Sequence, residues 1–110
     1  MDIGLFVKDF EMGTKISERL SQFEFDFGFC ETISDVSNEL KLLIIDLNDV
    51  EYGDINFIKG IVKKNNNIDL IGYMENIIKE HHDLLKEAGC RMILSKSSIL
   101  NNMKSLLPEI

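Results

Sequence analysis

The chain has no tryptophan, a single proline (Pro108) and only two cysteines in 110 residues. Cys30 and Cys90 stand far apart, with no CxxC pair and no paired Cys-His zinc spacing. They read as reduced thiols rather than as a disulfide framework or a zinc site. Basic residues are also short: Lys plus Arg total 12 against 19 Asp plus Glu, a formal charge of -7. That balance argues against a nucleic-acid backbone or an anionic membrane as the partner, and fits a chain that meets other proteins or cations. No apolar run approaches the roughly 20 residues of a membrane span. Met1-Asp2-Ile3-Gly4 opens with no basic region ahead of a long apolar one, so no signal peptide is expected and a cytoplasmic location is. One domain, 1–110, suits the length.

Against these shortages one stretch carries most of the information. Leu42-Leu43-Ile44-Ile45 is apolar at every position, as in a strand buried on both faces at the centre of a parallel sheet. It ends on an acid, in Asp46-Leu47-Asn48. In open α/β sheets the functional crevice lies beyond the carboxyl ends of such strands, which is where Asp46 falls.

The rest of the chain alternates around that strand. Ile3–Val7 is a first strand, followed by a helix through Ile16, Leu20 and Phe23. Phe23, Phe25, Phe27 and Phe29 alternate with Glu24, Asp26 and Gly28. Period two predicts a strand in part of this stretch, nearer the sheet edge, with the phenylalanines packed in the core. Ser34–Leu40 is expected as a short helix capped by Ser34 or Asp35. Ile55, Ile58, Ile61 and Val62 mark another helix, closed by a solvated connector, Lys63-Lys64-Asn65-Asn66-Asn67. A fourth strand spans Leu70–Met74. Ile77, Ile78, Leu84, Leu85 and Ala88 give the next helix, with Gly89 at its C-cap. Met92–Leu94 is a fifth strand, and Ile99, Leu100, Met103, Leu106 and Leu107 form a last helix with Pro108 near its end. Strand and helix alternate throughout, which calls for a parallel sheet covered by helices on both faces.

Three strand ends then carry polar groups that converge: Asp9, Asp46 and Lys96. Two carboxylates and a nearby carbonyl suit Mg²⁺, a hard cation that prefers oxygen. An aspartate so held can act as a nucleophile toward phosphorus, and a lysine beside it can pair with the phosphoryl group. Taken singly, each residue has a plainer reading: Asp46 capping a loop amide, Asp9 in a loop, Lys96 in solvent.

In order and spacing these segments resemble a response-regulator receiver domain over essentially the whole chain. Val7-Lys8-Asp9-Phe10 is similar to the end of that family's first strand, where an acidic pair normally stands. Leu42–Asn48 resembles its phosphoacceptor strand, and Lys86-Glu87-Ala88-Gly89-Cys90 with Ile93-Leu94-Ser95-Lys96 resembles its Ala-Gly-Ala stretch and lysine. The resemblance implies an α/β, flavodoxin-like, five-stranded parallel sheet of order 2-1-3-4-5. It implies Asp46 as phosphoacceptor, Lys96 as its phosphate-pairing partner, and Mg²⁺ held by Asp9, Asp46 and the Asn48 carbonyl. The implied partner is a protein, either a histidine kinase or a downstream signalling protein.

Several positions depart from the pattern. Lys8 replaces the first acid of the pair. Met74 stands where the family has a small hydroxyl residue that grips the phosphoryl group, and Glu75 follows where a small residue is usual. Ile93 replaces the aromatic whose rotation reports phosphorylation. Ser97 replaces the usual proline, so a trans peptide is expected there. Without the Met74 and Ile93 halves of the switch, the chain resembles a divergent or pseudo-receiver, not an enzyme, that docks a partner constitutively, with Lys8 neutralising the acidic pocket. Small stand-alone receiver-like proteins with an Asp-Leu-Asn-Asp segment and an Ile-Gly-aromatic fourth strand look most similar. A fully active Mg²⁺-dependent receiver is the alternative.

A haloacid-dehalogenase-like phosphatase would need a second aspartate two residues after the first, where this chain has Asn48. A flavin site is disfavoured because Asp9 and Glu11 would repel the cofactor phosphate. His81 and His82, about 100° apart on a helix, cannot share a ligand face; His81 reads as a half-buried structural residue. Met12, Met74, Met92 and Met103 read as core.

Overall fold

A computed structural model describes residues 1–76 and 78–107. Five parallel strands form one sheet in the order β2-β1-β3-β4-β5: β1 (Ile3–Phe6), β2 (Phe27–Phe29), β3 (Leu42–Asp46), β4 (Asp69–Tyr73) and β5 (Cys90–Leu94). The helices are α1 (Phe10–Gln22), α2 (Ile55–Lys64), α3 (Lys79–Ala88), α4 (Lys96–Asn101) and α5 (Met103–Leu106). The predicted class and strand order are those observed.

The apolar run of β3 makes it the central strand. Every residue of Leu42–Asp46 is buried, and β3 pairs with both β1 and β4. Alternating side chains then build two cores, one on each face. Ile3, Leu5, Leu42, Ile44 and Ile71 pack with Ile16 and Leu20 of α1, Ile99 of α4 and Met103 of α5. Phe6, Leu43, Ile45 and Leu70 pack with Ile58 and Ile61 of α2 and Leu85 of α3. Gly89 ends α3 at φ 140°, where its N–H reaches the carbonyls of Leu85 and Lys86. That positive φ is what glycine tolerates and other residues resist.

Five expectations are corrected. The segment 34–40 is not an α-helix. Asp35 Oδ2 accepts from the amides of Glu31 (2.8 Å) and Thr32 (3.0 Å), closing a 3₁₀ turn at Ile33–Asp35. Carbonyls beyond and within that turn are taken by side chains of the far end of α2. Lys64 donates to Ile33 and Ser34, and the Asn65 Nδ2 donates to Ser37 (2.9 Å) and Leu40 (3.1 Å). Side-chain bonding of this kind competes with a helical ladder. Asn65 is therefore not part of a solvated connector; it is buried at 5 % exposure.

The last helix is broken at Asn102, whose Nδ2 bonds back to the Ser98 carbonyl at 2.9 Å. Phe23, Phe25 and Phe27 pack partly against the α1-side core, but Phe29 is 53 % exposed on the edge strand β2. Of the apolar residues expected to mark α3, Ile78 is its N-cap rather than part of the helix, and both it and Leu84 are exposed. The helical placements of Ile77 and of Pro108 lie outside the described residues.

Candidate functional site

The carboxyl ends of β1, β3, β4 and β5 bring Asp9, Asp46, Tyr73 and Lys96 to one edge of the sheet. Asp46 closes β3, opposite Tyr73 of β4 in register. Its Oδ1 accepts two bonds from Asn48, one from the backbone N–H and one from Nδ2, both at 2.9 Å. The pair forms a tight Asx-type turn that directs the chain out of the sheet. Leu47 continues the ladder through its N–H to the Tyr73 carbonyl at 3.0 Å. Gly72 gives room for this, since a Cβ there would run into the Leu47 side chain. Asp46 is 6 % exposed, a buried acid at the mouth of the sheet.

Asp9 caps α1. Its Oδ2 accepts from the Met12 N–H at 2.9 Å, satisfying one of the helix's orphan donors. Lys96 begins α4 behind the N-cap Ser95. Its ammonium donates to Glu75 Oε1 at 2.6 Å. That bond is the leading reason its pKa stands above the ordinary lysine value; burial opposes it, and the charges of Glu75, Asp9 and Asp46 add to it. The lysine is thus bonded to Glu75 and to neither Asp9 nor Asp46.

Lys8 does not neutralise the pocket. Its ammonium pairs with Glu51 (3.0 Å) and Asp49 (3.3 Å), and lies 4.4 Å from the centre of the Tyr52 ring. These contacts draw it over the β3–α2 loop. Asp49 Oδ2 also accepts from the amides of Glu51 and Tyr52, so the loop is folded around its own carboxylate.

Met74 and Ile93 are both buried in the core on the α2–α3 face. The residue of β4 that shares the face of Asp46 is Tyr73, which spacing alone did not single out. Its ring is fully buried and its hydroxyl has no hydrogen-bond partner of normal geometry among the described residues. Burial first, then the charge of Asp46 and the proximity of its carboxylate to the hydroxyl, outside normal hydrogen-bond geometry, and last the charge of Asp9, push the phenol well above its ordinary range. The strand register that sets Tyr73 beside Asp46 was the available signal. Glu75 was visible in the sequence as an extra charge, but its pairing with Lys96 required the two loops to be folded.

Asp9, Asp46 and the Asn48 carbonyl offer oxygen donors only, and Lys8 is turned away, so the donor chemistry suits Mg²⁺. The set is sparse. Among the described residues no group of three or more His, Cys, Asp or Glu is arranged to hold a metal ion. Phosphatase chemistry lacks its acid, since Asn48 cannot titrate and Asp49 is committed to Lys8 and two loop amides. His81 is part-buried, with Nε2 3.2 Å from the Gly53 carbonyl, as a structural residue would be. Cys30 and Cys90 are free and buried, and the peptide at Ser97 is trans.

No protein-family model and no curated protein sequence matches the chain. Solved structures do. An orphan response regulator of H. pylori is similar at 18% identity and a TM-score of 0.76, over 98% of this chain and 97% of that one. An atypical orphan response regulator, described with a phosphorylation-independent regulatory mechanism, matches at 18% identity and 0.71, over 96% and 93%. The receiver domain of a sensor histidine kinase from Pseudomonas aeruginosa, with magnesium in its active-site cleft, matches at 14% identity and 0.75, over 96% and 92%. The fold is therefore the flavodoxin-like fold that these response regulators and receiver domains share. No helix among the described residues is long and apolar enough to cross a membrane.

Proposed function

We propose that this chain is a divergent receiver of the two-component type, a single domain (1–110) in the cytoplasm that acts by docking a signalling protein. It does so without a phosphorylation switch, and it is not an enzyme. The observation that carries the reading is the 2.6 Å bond from Lys96 to Glu75. In a working receiver that lysine pairs with the phosphoryl group; here an internal carboxylate already occupies it. Two further features agree. Asp46 Oδ1 is taken by both donors of Asn48. Met74 and Ile93, which the resemblance sets at the hydroxyl and aromatic switch positions, are both buried in apolar core.

The alternative is an active phosphoacceptor, and one observation favours it: Asp9, Asp46 and Lys96 all stand beyond the carboxyl ends of strands in one parallel sheet. In that mechanism an Asp46 oxygen attacks the phosphorus of a phosphohistidine or small phosphodonor. The O–P bond forms as the N–P or leaving O–P bond breaks, and the leaving group takes up a proton. Lys96 would have to leave Glu75 to meet the phosphoryl oxygens. Bound Mg²⁺, held by Asp9, Asp46 and the Asn48 carbonyl, would offset their charge.

Intact-mass spectrometry after incubation with acetyl phosphate and Mg²⁺ separates the two. The docking reading expects no phosphoryl adduct. An adduct that disappears in Asp46→Asn contradicts it.

A further inference from the structure

Asp46 and Lys96 are linked by a series of short polar contacts through the Asn48 side chain and through Glu75, a residue outside the expected site. Asn48 donates twice to Asp46 Oδ1 at 2.9 Å. The Asn48 Oδ1 in turn accepts from the backbone N–H of Glu75 at 2.8 Å. Glu75 Oε1 accepts from Lys96 Nζ at 2.6 Å. One amide side chain thus uses its donor toward β3 and its acceptor toward the β4–α3 loop, the most that its two ends allow in opposite directions. The path ties together three loops that follow β3, β4 and β5.

We infer that the path Asp46–Asn48–Glu75–Lys96 is a built-in lock. It holds the β4–α3 loop and the start of α4 in one arrangement, with the Glu75 carboxylate standing at Lys96 where a phosphoryl group would stand. The inference deepens the docking reading above and rests on it. It names Asn48 and Glu75 as the positioning residues and explains how a face can be held constant with no phosphate. Glu75 supplies both a backbone donor and a side-chain acceptor, so the loop cannot move without breaking one of them. Hydrogen bonds to charged groups are stronger than neutral ones, which favours the two charged ends of the path as its anchors. Connected polar networks respond as units, so breaking one link is felt at the others.

A double-mutant cycle read by ¹⁵N amide shifts tests the lock in unmodified protein. The variants are Asp46→Asn, Lys96→Met and the double variant, with Lys96→Arg as the conservative control. We expect Asp46→Asn to move the amides of Glu75, Ile78 and Ser95–Ile99, and Lys96→Met to move those of Asp46–Asn48. The double variant should show much less than the sum of the two, and Lys96→Arg should restore most of the resting spectrum. Shifts confined to the substituted loop, or additive shifts, overturn the lock. Should Asp46→Asn fail to fold, Asn48→Ala breaks the path at its middle and is read at the same amides. Phosphorylation at Asp46 would overturn the docking reading while leaving this readout intact, since no phosphodonor is present.

Discussion

Tyr73 and Asn65 are the two residues whose roles depend most on tertiary placement. The Tyr73 hydroxyl is buried without a partner of normal geometry among the described residues, and an unsatisfied buried polar group costs about 1–3 kcal/mol. Tyr73→Phe should therefore raise stability, measured as the urea midpoint. The phenol also has a sign under linkage. Its folded pKa is raised above the ordinary value of 10.0, so its contribution is complete below about pH 10 and is lost as pH climbs beyond that. Tyr73→Phe should shallow the alkaline fall in stability. Part of the fall should remain, since burial also raises Tyr52 and the thiols of Cys30 and Cys90. Asn65→Ala removes the donor to the carbonyls of Ser37 and Leu40 and should cost about 1–3 kcal/mol. A loss below the error of the urea midpoint would show that water replaces the side chain there.

At the scale of elements, the strands and long helices were legible because each carries its own period. The all-apolar run before Asp46 announced the central strand, and Ile16, Leu20 and Ile58, Ile61 announced two packed faces. The segment 34–40 was misread because Ser34, Asp35 and Ser37 suit a cap as well as a turn, and the side chains that decide it, Lys64 and Asn65, arrive from about 30 residues later. The last helix was misread for a related reason, since Asn102 carries its own competing amide. Of the site, Asp9, Asp46, Asn48 and Lys96 were legible as strand-end residues. The diversion of Lys8 and Lys96 to loop carboxylates was not, because an ion pair between two loops has no local signature. Gly89 gives a test at this scale. At φ 140° and with Val62 against any added Cβ, Gly89→Ala should destabilise by about 1 kcal/mol or more, the reverse of the gain that the same change brings where the backbone suits alanine. Melting temperature checks it, and an unchanged value would mean that the α3–β5 junction relaxes freely.

Over the whole molecule, the two faces of the sheet do different work. Both are closed by apolar packing, and the edge beyond the carboxyl ends of the strands holds Asp9, Asp46 and Lys96. The two lysines there are paired from within, Lys8 with Asp49 and Glu51 and Lys96 with Glu75, while the buried Asp46 accepts from the neutral amide of Asn48. Exposed ion pairs add little to stability. Glu75→Gln should therefore leave the melting temperature nearly unchanged while freeing Lys96. The central claim is that the Asp46 pocket is satisfied from within and does not take up phosphate. Its most direct test is a beryllofluoride titration, with and without Mg²⁺, followed by ¹⁵N amide shifts. The account predicts no saturable response at millimolar reagent in the natural chain. Saturable, Mg²⁺-dependent shifts around Asp46 and Lys96, lost in Asp46→Asn, would contradict it and establish a working phosphoacceptor.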